Sequence, residues 1–179
     1  MLMSAAKLPL SLKFYGVSPW ELEVLYSLLH SLFQVEEDSQ EQPDEDFTTM
    51  IDIVFPLAFS DAFFKWFGNA RWDKFKAILK ELKRRRGGGK TLRIYMKFIG
   101  KPSIKFTLDL DNRNLFDAAI EKTDFVLELL PYHLDPHKIP ASITEVMYYF
   151  DDRTGRWNIN SATSENETYT FSQNEWKIT

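Results

Sequence analysis

The sequence predicts an α+β fold: a mostly antiparallel sheet with helices packed on one face, a ferredoxin-like element order, an inserted helical pair and a C-terminal β-meander. The stretch from Thr91 to Leu130 is the main support. Leu92, Ile94, Met96 and Phe98 alternate with Arg93, Tyr95 and Lys97, the period of a strand with one buried face. Gly100-Lys101-Pro102-Ser103 reads as a turn, after which Ile104, Phe106, Leu108 and Leu110 alternate with Lys105, Thr107 and Asp109. Asp111 or Asn112 then caps a helix with an apolar stripe of Leu115, Phe116, Ala119, Ile120, Val126, Leu127 and Leu130. A hairpin followed by its packing helix defines the class.

Taken in order, Leu8, Leu10, Leu12 and Phe14 alternate with polar positions and form a first strand ending at Gly16. Ser18-Pro19-Trp20-Glu21 starts a helix: the serine caps, the proline takes the first helical position, and Glu21 returns a bond to the cap. That helix is expected to reach about Gln34. Residues 36–46 hold seven carboxylates, one proline and no apolar side chain, the composition of an exposed, flexible acidic loop. Thr48 to Phe55 is a strand rich in Ile and Val. Ser60-Asp61 caps a short helix to Phe67, and Gly68-Asn69 separates it from a second helix, Ala70 to about Arg86, ended by Gly87, Gly88 and Gly89.

Residues 131–142 are a proline-punctuated connector, and residues 143–179 a β-meander extension with strands at Ile143 to Phe150, Arg156 to Ser161 and Glu167 to Ser172. The adjacent rings of Tyr148, Tyr149 and Phe150 cannot share one side of a strand. The whole chain, 1–179, reads as a single domain. Without the inserted helical pair the order is βαββα followed by a strand, the split-βαβ arrangement.

Composition narrows the function. Hydrophobic residues make up 44% and aromatics 15%, enough for a filled core. A net charge of −4 provides no global attraction to nucleic acid or anionic lipid, so any such affinity must be local. The absence of cysteine removes disulfides, thiolate chemistry and Cys-based metal centres, and fits a reducing cytoplasm. Neither a signal peptide nor a membrane span is expected.

Gly87-Gly88-Gly89-Lys90-Thr91 ends like a phosphate-binding loop, but position 84 is arginine where that pattern needs glycine, and a helix precedes the loop where a strand is required. His133-Leu134-Asp135-Pro136-His137 lacks the further ligands of a metal site. Asp109 and Asp111 could hold a divalent cation, yet a wet strand face and a helix cap account for both. No triad, nucleophile elbow or dinucleotide turn is present. The expectation is therefore a non-catalytic cytoplasmic protein-interaction module without cofactor or metal. Its partner would be another protein or a second copy, bound through the aromatic meander or a sheet edge. The alternative is nucleic-acid binding by a local basic patch of Lys83, Arg84, Arg85, Arg86, Lys90, Arg93, Tyr95, Lys97 and Lys105, in which a tyrosine offers a stacking face.

Overall fold

A computed structural model describes residues 6–43, 45 and 48–179, so positions 44 and 46 of the acidic run lie outside the described residues. The elements are β1 (Leu8–Tyr15), α1 (Pro19–His30), β2 (Phe33–Ser39), β3 (Thr49–Phe55), α2 (Asp61–Phe67), α3 (Asn69–Arg86), β4 (Leu92–Phe98) and β5 (Ser103–Leu108). They are followed by α4 (Arg113–Glu121), a 3-10 helix (Asp124–Glu128), α5 (Leu130–His133), β6 (Glu145–Asp151), β7 (Arg156–Thr163), β8 (Thr168–Ser172) and β9 (Glu175–Ile178). The class is α+β, as predicted.

The nine strands form one sheet in the order β2-β1-β3-β4-β5-β6-β7-β8-β9. β1/β2, β3/β4 and β5/β6 are parallel and the other five pairings antiparallel. This is not the ferredoxin-like order. There a strand intervenes between the two strands that a helix joins, whereas here each helical connection joins sheet neighbours. Three βαβ units lie side by side, and the meander extends the last of them. β3 and β5 run in opposite directions, yet both step the same way across the sheet with their helices on the same face. Their crossovers therefore have opposite hands, so one departs from the right-handed norm.

β2 is the main correction. The first helix does not reach Gln34; it stops at His30, and Phe33 begins a strand that continues to Ser39 through residues expected to lie in the acidic loop. An edge strand tolerates such a composition because it has one neighbour. Phe33 points into the core, while Glu36 and Asp38 face the opposite, wet side beside Ser11 and Lys13 of β1. The helix expected to run unbroken to Leu130 is also divided. α4 ends at Glu121, and the buried Thr123 hydroxyl donates to Ala119 O at 3.0 Å where the helix gives way. The meander has four strands, because β9 follows a two-residue turn at Gln173 and Asn174, both at positive φ.

Other local expectations hold. Ser18 and Glu21 form the reciprocal capping box, Ser60 caps α2, and Asn112 accepts from Asn114 N and Leu115 N to cap α4. Gly68 separates α2 from α3 at φ 90°, a backbone conformation that costs glycine least. The helices cover one face of the sheet, and the core between the layers centres on Phe55. Its ring meets Phe33, Phe63, Phe75 and Phe98 at centroid distances of 4.7–5.9 Å. A register shift between Met147 and Tyr148 leaves Asn160 of β7 unpaired, and Tyr148 and Phe150 point inward while Tyr149 points out.

Candidate functional site

The nine positions of the expected basic patch do not share one surface. α3 lies on the covered face of the sheet, and in its last turn Lys83 and Arg86 brace the interior while Arg84 and Arg85 stay exposed. Lys83 is fully buried: it donates to Gly89 O at 2.6 Å and Leu110 O at 3.0 Å, and burial pushes its ammonium below the ordinary lysine pKa. Arg86 grips Glu21 through both guanidinium nitrogens at 2.7 and 2.9 Å, and donates further to Thr49 Oγ1 at 2.8 Å and Leu82 O at 2.9 Å. It thereby ties α3 to α1 and β3. The bond from Arg86, helped by the capping bonds from Ser18, holds the Glu21 carboxyl at about 2 despite burial. Arg85 stands 3.8 Å from the same carboxylate, and Arg84 pairs with Glu81 on its own helix. Cations at this helix end serve the macrodipole and the α1–α3 interface.

Arg93, Tyr95, Lys97 and Lys105 project from the uncovered face, as their alternation predicts. The structure intersperses carboxylates among them. Arg93 Nε lies 3.5 Å from Asp109, Lys97 Nζ lies 2.8 Å from Glu145, and Lys105 Nζ sits 4.8 Å above the Tyr95 ring. Asp52 lies among Lys105, Lys13 and Lys97; burial raises its pKa while those lysines oppose the rise. β2 adds Glu36 and Asp38 to the same face. Exposed Lys90 shares a shallow hollow of about 370 Å³ with Arg93, Tyr95, Asp109 and Tyr149. Lys90, Arg93 and Tyr95 are thus brought together. Lys97 and Lys105 sit farther along the same face, and Arg84 to Arg86 lie on the other side of the sheet.

A second feature arises where the helical layer runs out. Past α4 the chain tightens into the 3-10 helix and the single turn of α5, too little to cover the inner side of β7–β9. A cleft of about 680 Å³ opens there, with Phe125 and Leu129 on one wall, Trp157, Ile159 and Phe171 on the other, and Lys122 and Arg156 among its polar lining. Phe125 is 61% exposed and neighbouring Tyr132 74%, far more than packing requires. Trp157 anchors the sheet wall, donating from Nε1 to Ala119 O at 2.9 Å, and Lys122 donates to Gly155 O at 2.8 Å.

His133 closes the inner end. Its Nδ1 lies 2.8 Å from the Tyr148 hydroxyl, its ring meets Phe171 edge-on at 5.6 Å, and its carbonyl accepts from Trp176 Nε1 at 3.3 Å. Burial alone lowers the imidazole pKa and raises that of Tyr148, so both groups are neutral near pH 7. In the neighbouring turn Asp135 Oδ1 accepts from His137 N at 2.9 Å, a local turn bond. Among the described residues no group of three or more His, Asp or Glu is placed to hold a metal ion.

The cleft therefore presents rings and aliphatic side chains beside two cations, with the neutral His133 among its polar lining. The sequence reading missed it. The available signal was that Phe125 and Leu129 fall off the apolar stripe that holds Phe116, Ala119, Ile120 and Val126. Among the described residues no helix is long and apolar enough to cross a membrane. No protein-family model matches this chain, and neither the curated proteins nor the solved structures hold a match to it.

Proposed function

We propose that this chain is a protein-interaction module of the cytoplasm that acts by binding, with the cleft between the 3-10 helix and β7–β8 as its recognition surface. The observation that carries this reading is that Phe125 and Leu129, both exposed, line an aromatic-walled concavity, with Tyr132, also exposed, three residues farther along the chain. Interface anchors are apolar and aromatic side chains of this kind, surrounded by polar groups that fix orientation. Lys122 and Arg156 favour a partner segment that carries carboxylates beside its apolar anchors.

A benzophenone side chain placed at Phe125 should crosslink a discrete protein in cells on irradiation, and the same probe at Tyr149 on the opposite face should not. Leu129→Asp combined with Arg156→Glu should abolish the adduct in a chain whose circular dichroism is unchanged. Equal labelling from both positions, or none from Phe125, refutes the cleft as the recognition surface. Nucleic-acid binding has less support, because Arg93, Lys97 and Lys105 on the uncovered face lie near a carboxylate or a ring and the helix-end arginines lie on the other side of the sheet.

A further inference from the structure

The sheet ends on two unlike edges. β2 carries exposed Glu36, Glu37 and Asp38, side chains that discourage another strand from adding there. β9 carries Glu175, Trp176, Lys177 and Ile178, with Ile178 65% exposed, and among the described residues no strand lies beyond it.

The backbone of β9 has a defined polarity. In a two-residue hairpin the residues flanking the turn, here Ser172 and Glu175, exchange both hydrogen bonds, and bonded pairs then recur at every second residue. The bond from Thr179 N to Thr168 O at 3.0 Å fits that alternation. Trp176 and Ile178 therefore turn their N–H and C=O groups away from β8, toward the open edge.

We propose that β9 pairs with β9 of a second copy of this chain, antiparallel about a twofold axis beside Trp176, which joins the two sheets into one. The charge pattern selects this register. Centred on Trp176, Glu175 stands opposite the partner's Lys177 on the uncovered face, and the reciprocal pair forms on the other side of the axis. Centring on Glu175 or on Lys177 would set like charges against each other. The Trp176 side chains face the helical side, where each ring already contacts Phe171 at 5.1 Å. The two tryptophan backbones exchange N–H···O=C bonds, and Ile178 lies diagonally from the partner's Trp176, where its side chain leaves water. This edge adjoins the cleft, since Trp176 touches Phe171 and His133 of its lining, but the pairing itself uses backbone groups that face away from β8.

Sedimentation velocity of the full chain over a concentration series tests the pairing. A reversible monomer–dimer equilibrium is expected. Lys177→Glu should weaken it about tenfold or more, because both cross-axis pairs become repulsive. The double swap Glu175→Lys with Lys177→Glu should restore it, a rescue that a merely structural role would not produce. Ile178→Pro should also weaken it, since it deletes a donor aimed at the open edge and spares the bonds to β8. A chain that stays monomeric up to about 1 mM overturns the proposal. So does a dimer indifferent to Lys177→Glu and Ile178→Pro, or one that the double swap fails to restore.

Discussion

Glu21 carries two duties at once. It closes the capping box of α1 and it is the counter-ion that lets Arg86 lie 15% exposed between two helices and a strand. A guanidinium in that position loses much of its hydration, and the bidentate carboxylate offsets the loss. Glu21→Gln keeps the shape and removes the charge, so it should cost about 3 kcal/mol at pH 7, read from denaturant midpoints. The pH dependence has a definite sign. The folded carboxyl is depressed from 4.5 to about 2, so its contribution is complete above pH 4.5 and is lost as pH falls through 2. The variant should lack that stretch of the acid limb; an unchanged acid limb would show that Arg86 does not depend on this partner. Lys83 is satisfied without a carboxylate partner, its ammonium donating to carbonyls after the end of α3 and before α4.

At the scale of elements, the meander depends on α4 for its placement. β7 is pinned by Trp157, whose ring packs edge-on against Phe106 at 5.1 Å and Phe150 at 5.4 Å while its indole nitrogen reaches Ala119 O. The helical turns beyond α4 cover little of β8 and β9, so those strands have few other attachments. Trp157→Ala should cost about 3–5 kcal/mol. Amides of β8 and β9 should lose more protection from hydrogen exchange than those of β3 and β4. Uniform loss along the sheet would mean that the meander is not held through this one side chain. β2 shows a different dependence. Its carboxylates read as a self-repelling loop, yet Phe33 and Val35 anchor one face and β1 supplies the backbone partner along its length. Composition predicted repulsion between neighbours in sequence; pairing with β1 in register outweighed it.

For the whole molecule, nine strands share one hydrogen-bonded sheet, and one buried cluster extends from Leu10 to Tyr169 without interruption. Phe55 on β3, Phe98 on β4, Phe106 on β5 and Tyr148 on β6 form a chain of ring contacts across four strands. Heating should therefore produce one calorimetric transition whose van't Hoff and calorimetric enthalpies agree. Two resolved transitions would mean that the three βαβ units and the meander are separate folding units. Helices on one face only leave the other to water, where charges of both signs alternate among tyrosines.

The strands β1, β3, β4 and β5, the helices α1 to α3, the start of α4 and every helix cap named above were legible in the sequence. Each depends on periodicity or on side chains within four residues of one another, and such local signals act before any distant contact exists. Tertiary structure alone decided that β2 would form, that α4 would stop at Glu121, and that Arg84 to Arg86 would be separated from Arg93, Lys97 and Lys105. It also left Phe125 and Leu129 uncovered and turned the open edge of β9 outward. Those outcomes rest on partners far apart in the chain, such as Arg86 with Glu21 and Trp157 with Ala119, and on how far the helical layer extends over the sheet. A residue's charge can be read from its letter, but whether that charge meets water, a carboxylate or a carbonyl depends on which distant segments fold against it.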